Sequence, residues 1–216
     1  MVLLPLVPSA HSSARLADVA AAERRDLCET TLRRDGHTCR FCGLQAGGWQ
    51  DVFHLDDDHE NWAVANLAAC CLLCHGVQHI GSPAANQDMH VIWLPEVEQS
   101  VLNVLVRGIH LILHAHDAAA TLTTRHMPDE PELVAAWRAY VALDARKADA
   151  ARIIDSHHPR DLAAALGAMT PRDYTRRETL LGGLRLLHRG QRLRQGHDLY
   201  PAQLALWAKR AAPSHS

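Results

Sequence analysis

Cys39-Arg-Phe-Cys42 and, twenty-eight residues further on, Cys71-Leu-Leu-Cys74 form the stretch whose reading decides the fold. Each Cys-x-x-Cys pair presents two thiolates from one tight turn, and two such pairs supply the four soft ligands that zinc takes in a tetrahedron. Four thiolates leave no open coordination position. The spacing therefore predicts one structural Zn2+ held by Cys39, Cys42, Cys71 and Cys74. The competing reading is two disulfides or a scatter of buried thiols, and the x-x spacing shared by both pairs favours metal. Cys70 and Cys28 are left over and are expected to pack as small apolar residues.

Outward from this stretch, Ala17 to Arg34 reads as a helix with Leu27 and Leu32 inward and Arg24, Arg25, Arg33 and Arg34 outward, closed by a left-handed cap at Gly36. Gly47-Gly48 marks a turn and Trp49 to Leu55 a short strand, with Asp56, Asp57 and Asp58 in the next loop. His59 with these three aspartates could form a further metal site or an acidic surface turn, and the turn is the expectation. Cys74 to Ile80 opens a short helix, and Met89 to Leu94 is a second strand.

Pro95 suits the first turn of a helix in which Val97, Val101, Val104, Leu105, Ile109 and Ile112 keep a helical period and are expected in the core. His110 and His114 are four apart on it, a spacing that fits a shared metal or, more commonly, a packed surface pair. Ala118 to Pro131 reads as a break. The remainder is expected to be helical: one amphipathic segment from Leu133 to about Ile154, a second over Pro159 to Ala168, and a third capped by Thr170 with Pro171 at its first position and ending near Leu181. After the Gly182-Gly183 break, Leu184 to Leu187 is apolar and Arg189 to Arg194 is a short basic run. Arg185 to Arg194 is the one cluster that would suit a nucleic-acid-binding zinc protein, and a solvated helix face explains it as well. Pro201 to Lys209 is a final helix.

Hydrophobic content of 48% and charged content of 21% place the chain with ordinary globular proteins, and 216 residues suffice to bury a real core. A net charge of -2 lacks the summed basic field of a non-specific nucleic-acid binder, so nucleic acid is not an expected partner. Cysteines in metal-type spacing suit a reducing compartment. The run from Met1 to Pro8 has no basic residue and is interrupted by Pro5 and Pro8, which argues against a secretory signal and for an edge strand or a loose arm. No stretch reaches the roughly twenty apolar residues of a membrane span.

The order helix, Cys pair, strand with His, Asn-bearing loop, second Cys pair and His is that of a zinc-supported HNH module. An active HNH endonuclease needs two adjacent polar residues at the strand end, one to hold a divalent cation and one to take a proton from water, with a later His or Asn completing the cation site. Here Phe53 stands at one of the paired positions and His54 stands alone. A phenyl ring can neither hold a cation nor accept a proton. No catalytic residue is therefore predicted, and His54, Asn66, His75 and His79 are read as relics with structural hydrogen bonds. An HNH-type metal-dependent DNA endonuclease with an unusual ligand set is the alternative.

The chain resembles the IcmJ (DotN) family of type IVB (Dot/Icm) secretion systems from about Arg15 to Arg210. The motifs are Cys39-Arg-Phe-Cys42-Gly43-Leu-Gln-Ala46, Asp51-Val-Phe-His-Leu-Asp-Asp-Asp58, Asn66-Leu67, the doubled Cys70-Cys71 before Leu-Leu-Cys74, Val91-Ile-Trp-Leu-Pro-Glu96, and Leu184-Arg-Leu-Leu187. The resemblance implies an α+β, mainly helical fold with an N-terminal HNH-like ββα zinc module. Residues 1–94 would hold the arm, helix and zinc module, and residues 95–216 a helical region packed on it as one compact unit. It also implies a non-catalytic adaptor of the coupling complex at the cytoplasmic face of the inner membrane. The partners would be the C-terminal extension of the DotL-like coupling ATPase and other coupling-complex subunits, with a role in effector recruitment.

Overall fold

The computed structural model describes residues 3–10, 20–46, 50–118 and 128–211, with the side chains of 210 and 211 aside. The expectations for Ala17 to Val19, Gly47-Gly48, Trp49 and most of the break after Ala118 lie outside the described residues. The fold is α+β and mainly helical, as the resemblance implied.

Around the cysteines the order is α1 (Ala21–Arg34), β1 (Asp51–His54), a single 3-10 turn (Val64–Asn66), β2 (Leu67–Cys70) and α2 (Leu72–Gln78). β1 and β2 are antiparallel, with Asp51 opposite Cys70 and His54 opposite Leu67. β2 was not read as a strand in the sequence, because a run as short as Leu67-Ala-Ala-Cys70 carries no period of its own. Gly36 takes φ 60, as a left-handed cap requires. On α1, Leu32 is buried, but Leu27, Cys28 and Arg24 are only half-buried, which corrects the inward Leu27, the packed Cys28 and the outward Arg24. The amino-terminal arm is tied down rather than loose: Leu4 N–H donates to Arg40 O (2.8 Å), Ser9 N–H to Val77 O (3.1 Å), and Leu6 is buried.

The second half is organised by a two-stranded ribbon. After α3 (Ala85–Asp88), β3 (Met89–Trp93) pairs antiparallel with β4 (Leu184–His188), Met89 opposite His188 and Trp93 opposite Leu184. Alternate residues of a strand face opposite ways. Met89, Val91, Leu184 and Leu186 join a core with Phe41, Phe53, Leu73, Leu162, Tyr200 and Trp207. Ile92, Leu94 and Leu187 join a second core with Leu102, Val106, Ile109, Leu113, Leu133 and Tyr140. The ribbon is thus the shared wall of two cores. The free edge of β3 is satisfied by loop carbonyls, Val91 N–H donating to His157 O and Trp93 N–H to Arg146 O. β4 corrects the expectation of an all-helical remainder. A five-residue apolar run does not reveal its period, and the backbone groups that make it a strand come from β3, far away in the chain.

The helices between the two strands are α4 (Gln99–Ala115), α5 (Pro131–Ala145), α6 (Lys147–Ile154), α7 (Pro159–Gly167), α8 (Pro171–Thr175) and α9 (Arg177–Leu181). Behind β4 lie a small hairpin, β5 (Leu193–Arg194) with β6 (His197–Asp198), and α10 (Tyr200–Ala211). α5 and α6, expected as one helix, break at Arg146, whose side chain donates to Trp93 O and pairs with Glu96. The helix expected from Thr170 to Leu181 likewise breaks at Arg176, although Thr170 caps it as anticipated by accepting from Asp173 N–H (3.2 Å).

α4 departs most from expectation. It starts at Gln99, and its buried face is Leu102, Asn103, Val106, Ile109, His110 and Leu113. Val101, Val104, Leu105 and Ile112, read as core, are 41 to 55% exposed. The helix is apolar on two faces, so two sets of residues keep a helical period, and only tertiary contacts choose between them. No described helix is long and apolar enough to cross a membrane.

Gly183 marks a close approach. Its carbonyl accepts from Leu94 N–H (2.7 Å), and a Cβ there would lie 2.6 Å from Pro95 Cβ and 2.8 Å from the Pro95 backbone. Proline backbone cannot yield as a side-chain tip could. Gly183→Ala is expected to destabilise the protein by roughly 1–3 kcal/mol or more, read as a lower urea midpoint with an unchanged m-value. An unchanged midpoint would show that the ribbon can shift to make room.

Candidate metal centre

Each cysteine pair is placed by its backbone. Cys39 N–H donates to Leu44 O and Gly43 N–H to Cys39 O, closing a turn that needs φ 73 at Gly43, a conformation natural to glycine. Cys71 directly precedes α2, and Cys74 lies one turn inside it. The turn is locked to β2 by Arg40 N–H donating to Ala69 O (2.9 Å) and by Asp35. The buried carboxylate of Asp35 accepts from Ala69 N–H and from the side chains of Arg34 and Arg40. These three partners hold Asp35 below the usual carboxylate range against the raising effect of its burial.

The structure brings Cys39, Cys42, Cys71 and Cys74 together, their sulfurs all within 4.8 Å of one another. Cys42 and Cys71 are 3.6 Å apart, close to the roughly 3.8 Å edge of a tetrahedron with 2.3 Å metal–sulfur bonds. The four lie close enough to hold a metal ion. The protons are shared unevenly among these crowded sulfurs. Hydrogen bonds from Cys42, Cys70, Cys71 and Cys74 hold the Cys39 thiol far below its ordinary value. Cys42 is lowered to about 7, where hydrogen bonds from Cys71 and Cys74 outweigh the raising effect of Cys39. Cys71 and Cys74 are pushed well up, first by the hydrogen bonds they make to Cys39 and Cys42, with burial adding to it. A cation is what would let all four ionise together. Cys70 is fully buried and turns its thiol toward Cys71 O, as a packed leftover.

Three further residues of the site come from α4. Asn103 Nδ2 donates to Cys74 Sγ (3.4 Å) and Arg107 Nη1 to Cys42 Sγ (3.5 Å). Gln99 Nε2 donates to Asn103 Oδ1 (3.0 Å) and to Leu186 O, while its Oε1 accepts from Leu186 N–H. Gln99, Asn103 and Arg107 are spaced four apart and so share one stripe of the helix. Donors to ligand sulfurs withdraw charge from them and fix their orientation. Sequence reading missed this stripe. Its one visible signal was three polar residues at i, i+4 and i+8 in a mostly apolar helix.

The residues read as relics divide. His54 is 3% exposed, and the Gln78 side chain grips its backbone: Gln78 Nε2 donates to His54 O (2.6 Å) and Oε1 accepts from His54 N–H (3.4 Å). Neither ring nitrogen of His54 has a hydrogen-bond partner among the described residues, and burial, with the nearby His75 second, lowers its pKa. His54, His59, His79 and His75 follow one another ring to ring at 4.4 to 4.8 Å, and Nε2 of His75 lies 3.1 Å from Nε2 of His79. Asn66 stands apart from them. It donates to Asp56 Oδ1 and Asn61 O and accepts from Asp56 N–H, so it locks the loop. Phe53 packs on Phe41 (4.6 Å between ring centroids) beneath the first cysteine pair.

The acidic turn corrects one expectation: Asp57 is buried and pairs with Arg177 (2.5 Å), also accepting from Tyr174 and Gln78. His110 is likewise a core residue, its Nδ1 2.8 Å from Tyr200 Oη. Among the described residues the four cysteines are the one group of three or more side chains placed to hold a metal, so the Asp56–His59 turn forms no such group, and Nδ1 of His110 is engaged by Tyr200.

No family model matches the chain. Over 77 residues the chain is 41% identical to the type 4 apparatus protein DotN of Legionella pneumophila, an alignment covering 34% of this chain and 36% of that protein. The match therefore spans little more than a third of either length, and within it the resemblance to the IcmJ (DotN) family is borne out.

Proposed function

We propose that the chain is a zinc-stabilised, non-catalytic adaptor of a type IV secretion apparatus. In this reading it binds the C-terminal extension of a coupling ATPase at the cytoplasmic face of the inner membrane and helps to recruit effectors. The similarity to DotN carries the proposal. The metal would be Zn2+, because four cysteine sulfurs suit a closed tetrahedral site with no position left for a substrate. Cys39, Cys42, Cys71 and Cys74 would hold it, and its contribution is to folding. The lack of catalysis is argued from Phe53, which is spent on packing against Phe41, and from Asn66, which is spent on its loop.

In this proposal residues 1–94 are the metal module and residues 95–216 the helical region packed on it. The partner segment would dock on the helical region, where α4 leaves Val101, Val104, Leu105 and Ile112 exposed. The test is affinity purification of the tagged chain from its native membrane. The coupling ATPase should come down with it, and should be lost when the ATPase tail is deleted or when Leu105→Asp is introduced into the chain. Recovery unaffected by deletion of the tail would reject the proposed contact. Plasmid nicking with magnesium, manganese or nickel that disappears on His54→Ala would replace the adaptor by a nuclease.

A further inference from the structure

The arginines around the carboxy-terminal hairpin are unevenly provided for. Arg185 donates to the carbonyls of Val97, Gly182 and Leu184, and Arg189 to that of Gln87. Arg194 pairs with Asp88 at 3.0 Å. These contacts replace the solvated helix face expected of the basic run. Arg192 differs: its backbone N–H donates to Asp198, but its guanidinium makes no hydrogen bond or ion pair among the described residues, and its Nε is buried without a partner. Burial, with the charge of Arg194 second, presses its pKa down, while Asp88 and Asp51 act in the opposite sense from beyond ion-pair reach. Nη1 and Nη2 of Arg192 are neither buried nor bonded to the protein among the described residues, so both can receive an anion.

Arg192 lines a cavity of about 410 Å3, within the range of small-molecule sites. His75 and His79 stand on the same cavity, as do Ser82 and the half-buried apolar residues Leu72 and Leu193. None of the four clustered cysteines lines it. We propose that this cavity binds a small phosphorylated molecule, with its phosphate on Arg192 and an apolar or aromatic body against Leu72 and Leu193. The planar guanidinium matches a phosphate in two parallel hydrogen bonds. On the cavity lining Arg192 and Arg194 bring two positive charges and Asp88 one negative, with Asp51 and Asp198 behind it, and the doubled arginine suits a phosphate. The volume greatly exceeds that of an inorganic ion, so the ligand has a body. The proposal stands independently of the secretion reading.

The probe is AMP, with inorganic phosphate and adenosine as the two halves of the comparison, titrated into the metal-loaded full chain by calorimetry and by thermal shift. AMP should bind and raise the melting temperature, phosphate should bind more weakly, and adenosine should not bind. Arg192→Gln should weaken AMP by on the order of tenfold or more while metal content and circular dichroism stay as in the wild type. Should that variant misfold, Arg192→Lys keeps the charge, loses the fork and should still weaken binding. Absence of AMP binding, equal binding of adenosine, or affinity unchanged in both arginine variants would overturn the proposal. Phosphate binding as tight as AMP would remove the apolar body from it.

Discussion

Cys74→Ser is expected to abolish metal binding and, with it, cooperative folding of the amino-terminal half. Structural zinc in small peptides contributes roughly 10–16 kcal/mol, which matches or exceeds the stability of an ordinary domain. A serine hydroxyl does not supply the missing thiolate. Elemental analysis should give one zinc per wild-type chain and none per variant, and near-ultraviolet circular dichroism should collapse on chelation of the wild type. Asn103→Leu provides the graded comparison. It leaves all four sulfurs but removes the donor to Cys74, and loss of a hydrogen bond to a metal-holding atom costs about 10–100-fold in metal affinity. A chain that folds fully without metal would remove zinc from the account.

The second large effect is acid sensitivity through His110. It is 1% exposed, its Nε2 has no partner among the described residues, and burial, with the His188 charge second, pushes its pKa down to about 3. His188 is pushed down to about 4, again by burial first. The unfolded chain takes up these protons near pH 6.5, whereas the folded chain resists them. The stability is therefore fully present above pH 6.5 and is lost as pH falls through the window down to about 4 and then 3. The loss approaches roughly 3–5 kcal/mol for each histidine. Urea midpoints measured from pH 7 downward should fall with a slope that is shallower in His110→Gln. Metal release in acid is common to both proteins and cancels from the difference. Parallel slopes would show that His110 is not held neutral.

The metal cluster was legible in the sequence because a Cys-x-x-Cys pair is a local object: its turn, its glycine and its two ligands lie within five residues. Thr170 before Pro171 was legible for the same reason. The exposed face of α4 was not. Val101, Val104, Leu105 and Ile112 satisfy the helical period as well as Leu102, Val106, Ile109 and Leu113 do, and the choice was made by Asn103, Gln99 and His110. These polar residues can be buried because Cys74 and Leu186 receive hydrogen bonds from Asn103 and Gln99, and Tyr200 shares one with His110. Residues remote in the chain decided which way the helix turned. β4 was misread as helix on similar grounds, since its hydrogen-bond partners lie in β3. Arg192 was visible only as one arginine in a basic run, and its isolation emerged once Arg185, Arg189 and Arg194 had found their carbonyls and carboxylate.

The wall shared by the two cores has a consequence for synthesis on the ribosome. The cysteine knuckle can capture its ion as soon as Cys74 has left the exit tunnel. β3, made shortly afterwards, has to wait for nearly half the chain before Leu184 to His188 emerges to pair with it. During that interval Val91, Ile92 and Leu94 have no mate, and their edge is open to neighbouring chains or to a chaperone. The nascent protein should therefore be most vulnerable to aggregation after its metal site is complete and before Leu184 to His188 appears.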